Sequence, residues 1–232
     1  MIADIHTHLL PGVDDGSPDL ETSLKMLEAL EAQGITRIAA TPHFYANHDS
    51  PDRFLSRRNQ AAATLRQAWK GKAELRLGAE VYYFEGISDC DALEALAIEG
   101  TGMLLVEMPP APWPERAFQE LLEIRRKRKL IPVIAHLDRY ITPLRSYGIP
   151  EKLEQLPVLV QLNAQSLLRT GTRGMALRLI RQGRVHLLGS DCHSMGSRCP
   201  NLAEGWQVIG RKLGPKAQAE LLRLEDSLWT KN

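Results

Sequence analysis

The chain alternates between two kinds of segment, and this alternation restricts its fold more than any other feature. Short runs rich in Ile, Val and Leu occupy residues 2–8, 35–41, 75–81, 103–108, 131–136, 158–163 and 185–190, mostly separated by longer amphipathic stretches. Runs of this length and composition read as strands, and the stretches between them as helices. Repeated β-α succession argues for a parallel sheet. Helices are expected near 52–69, 114–129 and 174–182, with a pair from residue 201 onward. The clearest helix lies before them: Ser17 would cap it, Pro18 suits its first turn, Leu20, Leu24, Leu27 and Leu30 share one face, and Gly34 closes it. Seven strands in one unit point to a closed, irregular barrel, with an open doubly wound sheet as the alternative. No linker, repeat or low-complexity tract divides the chain, so residues 1–232 read as one domain.

Composition excludes several classes of partner. Lys and Arg number 29 against 28 Asp and Glu, so no net field draws the chain to nucleic acid or anionic lipid. No run approaches the ~20 apolar residues of a membrane span, and the N-terminus lacks the basic and apolar regions of a leader. Three cysteines, Cys90, Cys192 and Cys199, form no C-x-x-C pair and no disulfide framework. A cytoplasmic protein without membrane insertion is expected.

The strand ends carry the chemistry. Six of the seven runs lead from apolar residues into His, Asp or Glu: His6 and His8, His43, Glu80, Glu107, His136, then Asp191 and His193; the run at 158–163 ends on Asn163. In β/α barrels the loops after the strands converge on the active site. In His6-Thr7-His8, residues two apart on a strand point the same way, so both imidazoles can reach one ion, and Asp191-Cys192-His193 repeats the spacing. Asp15, in the loop after the first strand, completes a candidate set of nine: His6, His8, Asp15, His43, Glu80, Glu107, His136, Asp191 and His193. Nine ligands are too many for one ion and suit a cluster of two or three. The four carboxylates carry −4; three divalent ions would leave about +2, a suitable field for a phosphate dianion. A lone His or Asp is ordinarily a surface-loop residue; nine at successive strand ends are not explained that way.

His6-Thr7-His8, Val13-Asp14-Asp15-Gly16, Thr41-Pro42-His43, Gly78-Ala79-Glu80-Val81-Tyr82-Tyr83, Ala135-His136-Leu137-Asp138-Arg139-Tyr140 and Ser190-Asp191-Cys192-His193 together resemble the polymerase-and-histidinol-phosphatase (PHP) superfamily. Within it they are similar to the bacterial capsule and exopolysaccharide protein-tyrosine phosphatases. The resemblance runs from residue 2 to about 203. It implies a distorted (β/α)7 barrel of the PHP type and a site of three metals, manganese first, with iron, zinc or cobalt as alternatives. It also implies phosphotyrosine on a bacterial tyrosine autokinase as substrate. It places all nine residues as metal ligands and matches Arg139 and Arg198 to phosphate-binding arginines. Residues 221–232 lack the Asn-Pro segment associated with the family's last helix.

A guanidinium in either position offers paired donors to phosphate oxygens and stabilises charge developing on them. Phe44, Tyr45, Tyr82, Tyr83 and Pro109 follow the ligand strands and could flank an aromatic ring, although at least one of Tyr82 and Tyr83 should pack against helices. The basic run 125–129 ends a helix and reads as a solvated face. His48 and His186 read as a loop and a strand histidine. Cys192 and Arg198 form C-x5-R, the spacing of the thiolate phosphatases, but Cys192 lies between two proposed ligands and should point away from them. The expected reaction is therefore hydrolysis by metal-activated hydroxide, in line at phosphorus and without a covalent enzyme intermediate. A small-molecule phosphomonoesterase of the histidinol-phosphatase type would use the same site, and a non-catalytic metal-binding module is a third reading.

Overall fold

A computed structural model describes residues 1–142 and 144–230. In chain order the strands are β1 (Ala3–Thr7), β2 (Arg37–Ala40), β3 (His43–Phe44), β4 (Glu74–Leu77), β5 (Glu80–Tyr82), β6 (Met103–Glu107), β7 (Ile131–Ile134), β8 (Leu159–Asn163) and β9 (Leu187–Gly189). The helices are α1 (Leu20–Ala32), α2 (Pro51–Ala68), α3 (Leu93–Leu96), α4 (Glu115–Glu123), α5 (Ile149–Leu153), α6 (Ala164–Leu168), α7 (Thr170–Arg181), α8 (Leu202–Leu213) and α9 (Pro215–Trp229).

Every paired strand is parallel. One ladder runs β1-β2-β4 and the other β3-β5-β6-β7-β8-β9. The expected strand 75–81 is broken by a kink at Gly78-Ala79, and the expected strand 35–41 ends at a second kink, Thr41-Pro42, beyond which β3 continues the stave, so nine segments lie on seven staves. Pairing continues across both kinks, through Gly78 N to Ala40 O at 2.9 Å and Glu80 N to Pro42 O at 3.0 Å. Beyond β9 the chain returns to β1: Asp191 N donates to His6 O and His8 N to Cys192 O, both at 2.9 Å. These two bonds close the ring and rule out the open doubly wound sheet.

Side chains alternate along each stave, which divides the core in two. Ala3, Ile5, Ala39, Met103, Leu105, Val133, Ala135 and Leu187 form the inner cluster, joined by Leu228 and Trp229 of α9. A larger cluster lies between the strands and the surrounding helices. Helix α9 seals the barrel at the N-terminal ends of its strands. Glu225 Oε1 accepts from Ala3 N at 2.8 Å, Asp226 pairs with Arg37 at 2.6 Å, and the Trp229 indole donates to Glu74 at 3.0 Å. The segment from 221 onward, expected to be atypical, is thus the lower lid of the barrel; residues 231 and 232 lie outside the described residues.

One local expectation fails. Ser17 does not cap α1, and Pro18 precedes the helix rather than entering it. Asp19 is the cap, accepting from Thr22 N at 2.8 Å, while the Ser17 hydroxyl donates to the Asp19 carbonyl. An aspartate cap places negative charge on the positive end of the helix, which a serine cannot do.

Candidate metal centre

All nine candidate ligands converge at the C-terminal mouth of the barrel. Three groups of ligand atoms lie within 4.8 Å of one another: His8, Asp15, His43 and His193; His6, His8, Glu80 and Asp191; and His43, Glu80 and Glu107. His136 joins through Glu80 Oε1, 2.8 Å from its Nε2, with Glu107 Oε1 at 3.7 Å. His8, His43 and Glu80 each belong to two groups, so the groups form one connected cluster rather than separate sites.

The backbone shows how these residues are delivered. His136 and Asp191 both lie past the ends of their strands with φ of 31° and 54°, a left-handed region that costs an L residue of order 1–3 kcal/mol. Each is locked in place: Gln161 Oε1 accepts from His136 N at 2.6 Å, and Asp191 N makes one of the two ring-closing bonds. Gly189 allows the barrel to tighten here, because a Cβ would lie 2.7 Å from the His6 Cβ and 2.9 Å from Gln161 Nε2.

A second layer of polar residues, missed in the sequence, aims the imidazoles. Of the adjacent aspartates, Asp15 is exposed and faces His43 and His193 at 3.6 Å each. Asp14 turns inward instead, and its Oδ2 accepts from His8 Nδ1 at 2.7 Å and from His43 N at 2.9 Å. Gln161 Oε1 lies 3.3 Å from His6 Nδ1, and its Nε2 donates to Asn163, which in turn donates to Asp191 Oδ2 at 2.8 Å. With Nδ1 occupied in both His6 and His8, their Nε2 atoms face the cluster, 3.1 Å apart. The available signal was polarity: Gln161 and Asn163 are two polar residues in an otherwise apolar strand.

The electrostatics are those of a site built for cations. Burial opposes ionisation of Glu80 and Asp191, yet the charge of His6 and hydrogen bonds from neighbouring imidazoles hold both carboxyls well below their ordinary range. Burial likewise opposes charge on His6 and His8, but the carboxylates around them raise both. Burial, reinforced by the charge of Glu80, pushes Glu107 up to about 7; burial, reinforced by the charge of His8, drives His193 down to about 3. Glu80 Oε2, Glu107 Oε2, His43 Nδ1, His136 Nδ1 and His193 Nε2 are buried with no hydrogen bond. One such atom costs about 1–3 kcal/mol, and Glu80 Oε2 and Glu107 Oε2, at 3.1 and 3.5 Å from His43 Nδ1, form a crowded set of the kind that a bound cation resolves. The donor set fits divalent metal ions.

The arginines border this cluster. Arg198 donates to Asp191 Oδ1 at 2.7 Å, and Arg139 pairs with Asp191 Oδ2. Both line a pocket that opens beside Asp191. The aromatic residues divide. Tyr45 stacks on His43 at 5.3 Å and lies 5.5 Å from Tyr82, so these two flank the mouth. Phe44 is buried against Phe54, and the Tyr83 hydroxyl donates to Glu120, so both serve packing. Pro109 uses its carbonyl to accept from the Trp113 indole.

Cys192 is fully buried within the core, and burial pushes its thiol well up, away from the thiolate a nucleophile needs. In the basic run, Lys127 pairs with Asp89 and Glu123 and Arg128 with Asp91, as on a solvated face. His186 accepts from Val160 N at 3.1 Å, a strand contact; His48 is exposed beside Tyr45.

Comparison with known proteins agrees with this geometry. Residues 2–227 match the model of a family described as capsular polysaccharide synthesis, CpsB/CapC. The tyrosine-protein phosphatase YwqE of Bacillus subtilis is 31% identical over 91% of this chain and 85% of its own. The putative tyrosine-protein phosphatase CapC of Staphylococcus aureus is 27% identical over 85% and 79%. Among solved structures, one from a study of YwqE and of CpsB from Streptococcus pneumoniae, described as unique metal-dependent tyrosine phosphatases, superimposes with a TM-score of 0.84. It is 24% identical and covers 100% of this chain and 96% of its own. A phosphotriesterase homology protein from Escherichia coli, solved with phosphate in its active site, shares the fold at a TM-score of 0.51, 12% identity and coverage of 100% and 98%. The chain belongs to the CpsB/CapC family of capsular polysaccharide synthesis.

Proposed function

We propose that this chain is a metal-dependent protein-tyrosine phosphatase, acting as one domain on phosphotyrosine of a bacterial tyrosine autokinase that controls capsule or exopolysaccharide synthesis. The observation that carries the reading is the connected cluster of nine His, Asp and Glu side chains with two guanidiniums on its edge. The names of the relatives support the substrate class, and the family description supports the pathway.

His6, His8, Asp15, His43, Glu80, Glu107, His136, Asp191 and His193 would hold two or three divalent ions. Three is the count favoured by three overlapping groups, and manganese is the ion that the family resemblance implies, with iron, zinc and cobalt as alternatives. Ions bound there would acidify water and polarise the phosphoryl group. The remaining work belongs to the chain. Arg139 and Arg198 each keep N–H donors beyond those spent on Asp191, so they can hold phosphate oxygens as charge develops on them. Tyr45 and Tyr82 can flank the phenyl ring. The leaving phenolate has a pKa of ~10, so it departs without a strong acid beside it. Cys192 takes no part. The site of action proposed is the cytoplasm; among the described residues no helix is long and apolar enough to cross a membrane.

A phosphate-release panel tests the reading. Chelated protein should be inactive and Mn²⁺ should restore it. The loaded protein should hydrolyse a phosphotyrosine peptide at least ~10-fold faster in kcat/KM than its phosphoserine counterpart, about 1.4 kcal/mol in barrier. Full activity after demetallation refutes the metal reading. A higher kcat/KM for histidinol phosphate replaces the tyrosine phosphatase with the small-molecule phosphomonoesterase.

A further inference from the structure

The pocket holding Arg139 and Arg198 is larger than a phosphate needs. Its volume is about 280 Å³, against the ~10–15 Å³ required by one water. From Asp191 it runs outward between the end of β8 and the loop that leads into α8, past Asn163 to Arg169, Thr172 and Asn201. Phosphate on the two inner arginines leaves this outer half open.

The outer half is built for an anion. Arg169 is exposed and, among the described residues, its side chain makes no ion pair or hydrogen bond. Its neighbours on the same face do not share this freedom: Arg173 is spent on the carbonyls of Leu167 and Leu168, and Arg139 and Arg198 rest on Asp191. Arg169 also precedes the first turn of α7, which carries no acidic residue and no side-chain cap. The helix dipole there adds to the guanidinium's charge.

The buried wall supplies an independent sign. Asn201 is 6% exposed and held by Gln165, yet its Oδ1 has no hydrogen bond. Turning both amides end for end keeps their mutual bond and leaves an Asn201 N–H as the unpartnered atom. The two carboxylates lining the pocket are already engaged, Asp138 by Asn163 N at 2.9 Å and Asp191 by the arginines.

We propose that this outer half, centred on Arg169, is a specificity subsite for a second anionic group close to the phosphotyrosine in the polypeptide substrate. The group is an acidic side chain or a second phosphate. The proposal rests on the tyrosine-phosphatase reading.

Its test compares phosphotyrosine peptides that differ only in the adjacent residues: Gln, Glu, or a second phosphotyrosine. Each kcat/KM is divided by that of the same protein on a small aryl phosphate, so that effects on chemistry cancel. The Glu peptide should exceed the Gln peptide by ~10-fold in the native chain, or 1.4 kcal/mol, and by less than ~2-fold in Arg169→Gln. The doubly phosphorylated peptide tells which anion the subsite prefers. Equal ratios for the Glu and Gln peptides in the native chain, or a preference that survives Arg169→Gln, overturn the subsite. Calorimetric titration of the same peptides reads the preference without turnover. A chain that binds the Glu peptide selectively yet hydrolyses no aryl phosphate keeps the subsite and refutes the phosphatase.

Discussion

Asp14→Asn isolates the layer behind the ligands. The Asp14 carboxylate accepts from His8 Nδ1 at 2.7 Å, His43 N at 2.9 Å and Gly16 N at 3.0 Å. Its Oδ2 takes the first two and Oδ1 the third. An asparagine must present NH2 to one side or the other. Placed at the Oδ2 position, it meets two donors, and His8 relieves the clash only by moving its proton to Nε2. That atom lies 3.2 Å from Glu80 Oε2 and 3.4 Å from Asp191 Oδ1, so the proton then occupies the space a cation needs. Reversed, the amide keeps His8 oriented but opposes Gly16 N–H.

Either arrangement forfeits a charge-assisted hydrogen bond, about 1.5–3 kcal/mol. That range agrees with the 10–100-fold loss of metal affinity typical of outer-layer substitutions. Competition with a chelator of known affinity gives the metal dissociation constants directly. Activity titrated against Mn²⁺ should shift to higher concentration by the same factor, while kcat at saturating metal falls much less. The melting temperature of the metal-free variant, compared with that of the metal-free parent, separates loss of fold from loss of affinity. Metal affinity within ~3-fold of the parent, in a folded Asp14→Asn variant, refutes the positioning role.

Three further outcomes are expected. Arg198→Ala should lose ~10²–10³-fold in kcat with its metal content retained, the scale of one transition-state donor, whereas Cys192→Ser should keep most of its kcat; a metal-loaded but inactive Cys192→Ser variant returns the mechanism to the thiolate. Burial pushes Glu225 up to about 8 from its ordinary value of 4.5, so the folded chain holds this proton more tightly than the unfolded chain; the stability it confers is complete below pH ~4.5 and is lost as pH rises through ~8. Glu225→Gln should remove that loss, and urea unfolding should show its advantage over the parent growing by at least ~1 kcal/mol between pH 5 and pH 8; a pH-independent difference refutes it.

The features legible in the sequence were those written in local pattern. Strand positions follow from clustered β-branched residues, and the candidate ligands from His and carboxylate where each cluster ends, and the structure brings the nine together. Features that depend on the path of the chain were not legible. Asp14 and Asp15 are chemically identical neighbours; what separates them is a turn in which Gly12 adopts φ 66° and Gly16 packs against His8, where a Cβ would fall 2.1 Å from its carbonyl oxygen. The break at Gly78-Ala79 looks like continuous strand because apolar residues flank it, and the continuation of the second stave past Thr41-Pro42 was not legible because β3 is only two residues long; only the barrel's curvature shows why a Pro and a Gly stand there. The role of α9 was invisible for the same reason. Trp229 and Glu225 read as an ordinary helix face until the barrel supplies an open end for them to fill.

The closure of the barrel and the assembly of the site are the same event. Both backbone–backbone hydrogen bonds described between the last stave and the first involve residues of the cluster or their immediate neighbours, His6, His8, Asp191 and Cys192. One of them holds Asp191 in its left-handed conformation, and Gln161 fixes His136 in the same way from the adjacent strand. Without that seam Asp191 would lose both its aim and its grip on Arg139 and Arg198, so the two arginines proposed to hold phosphate depend on it as well. Ligands that bind only the folded state stabilise it, and cations in this cluster would do so at the point where the ring is joined. Strain and crowded carboxylates at the mouth are tolerable because the opposite end is sealed independently by α9 through Leu228 and Trp229. The fold can therefore leave its upper end poorly satisfied until cations arrive.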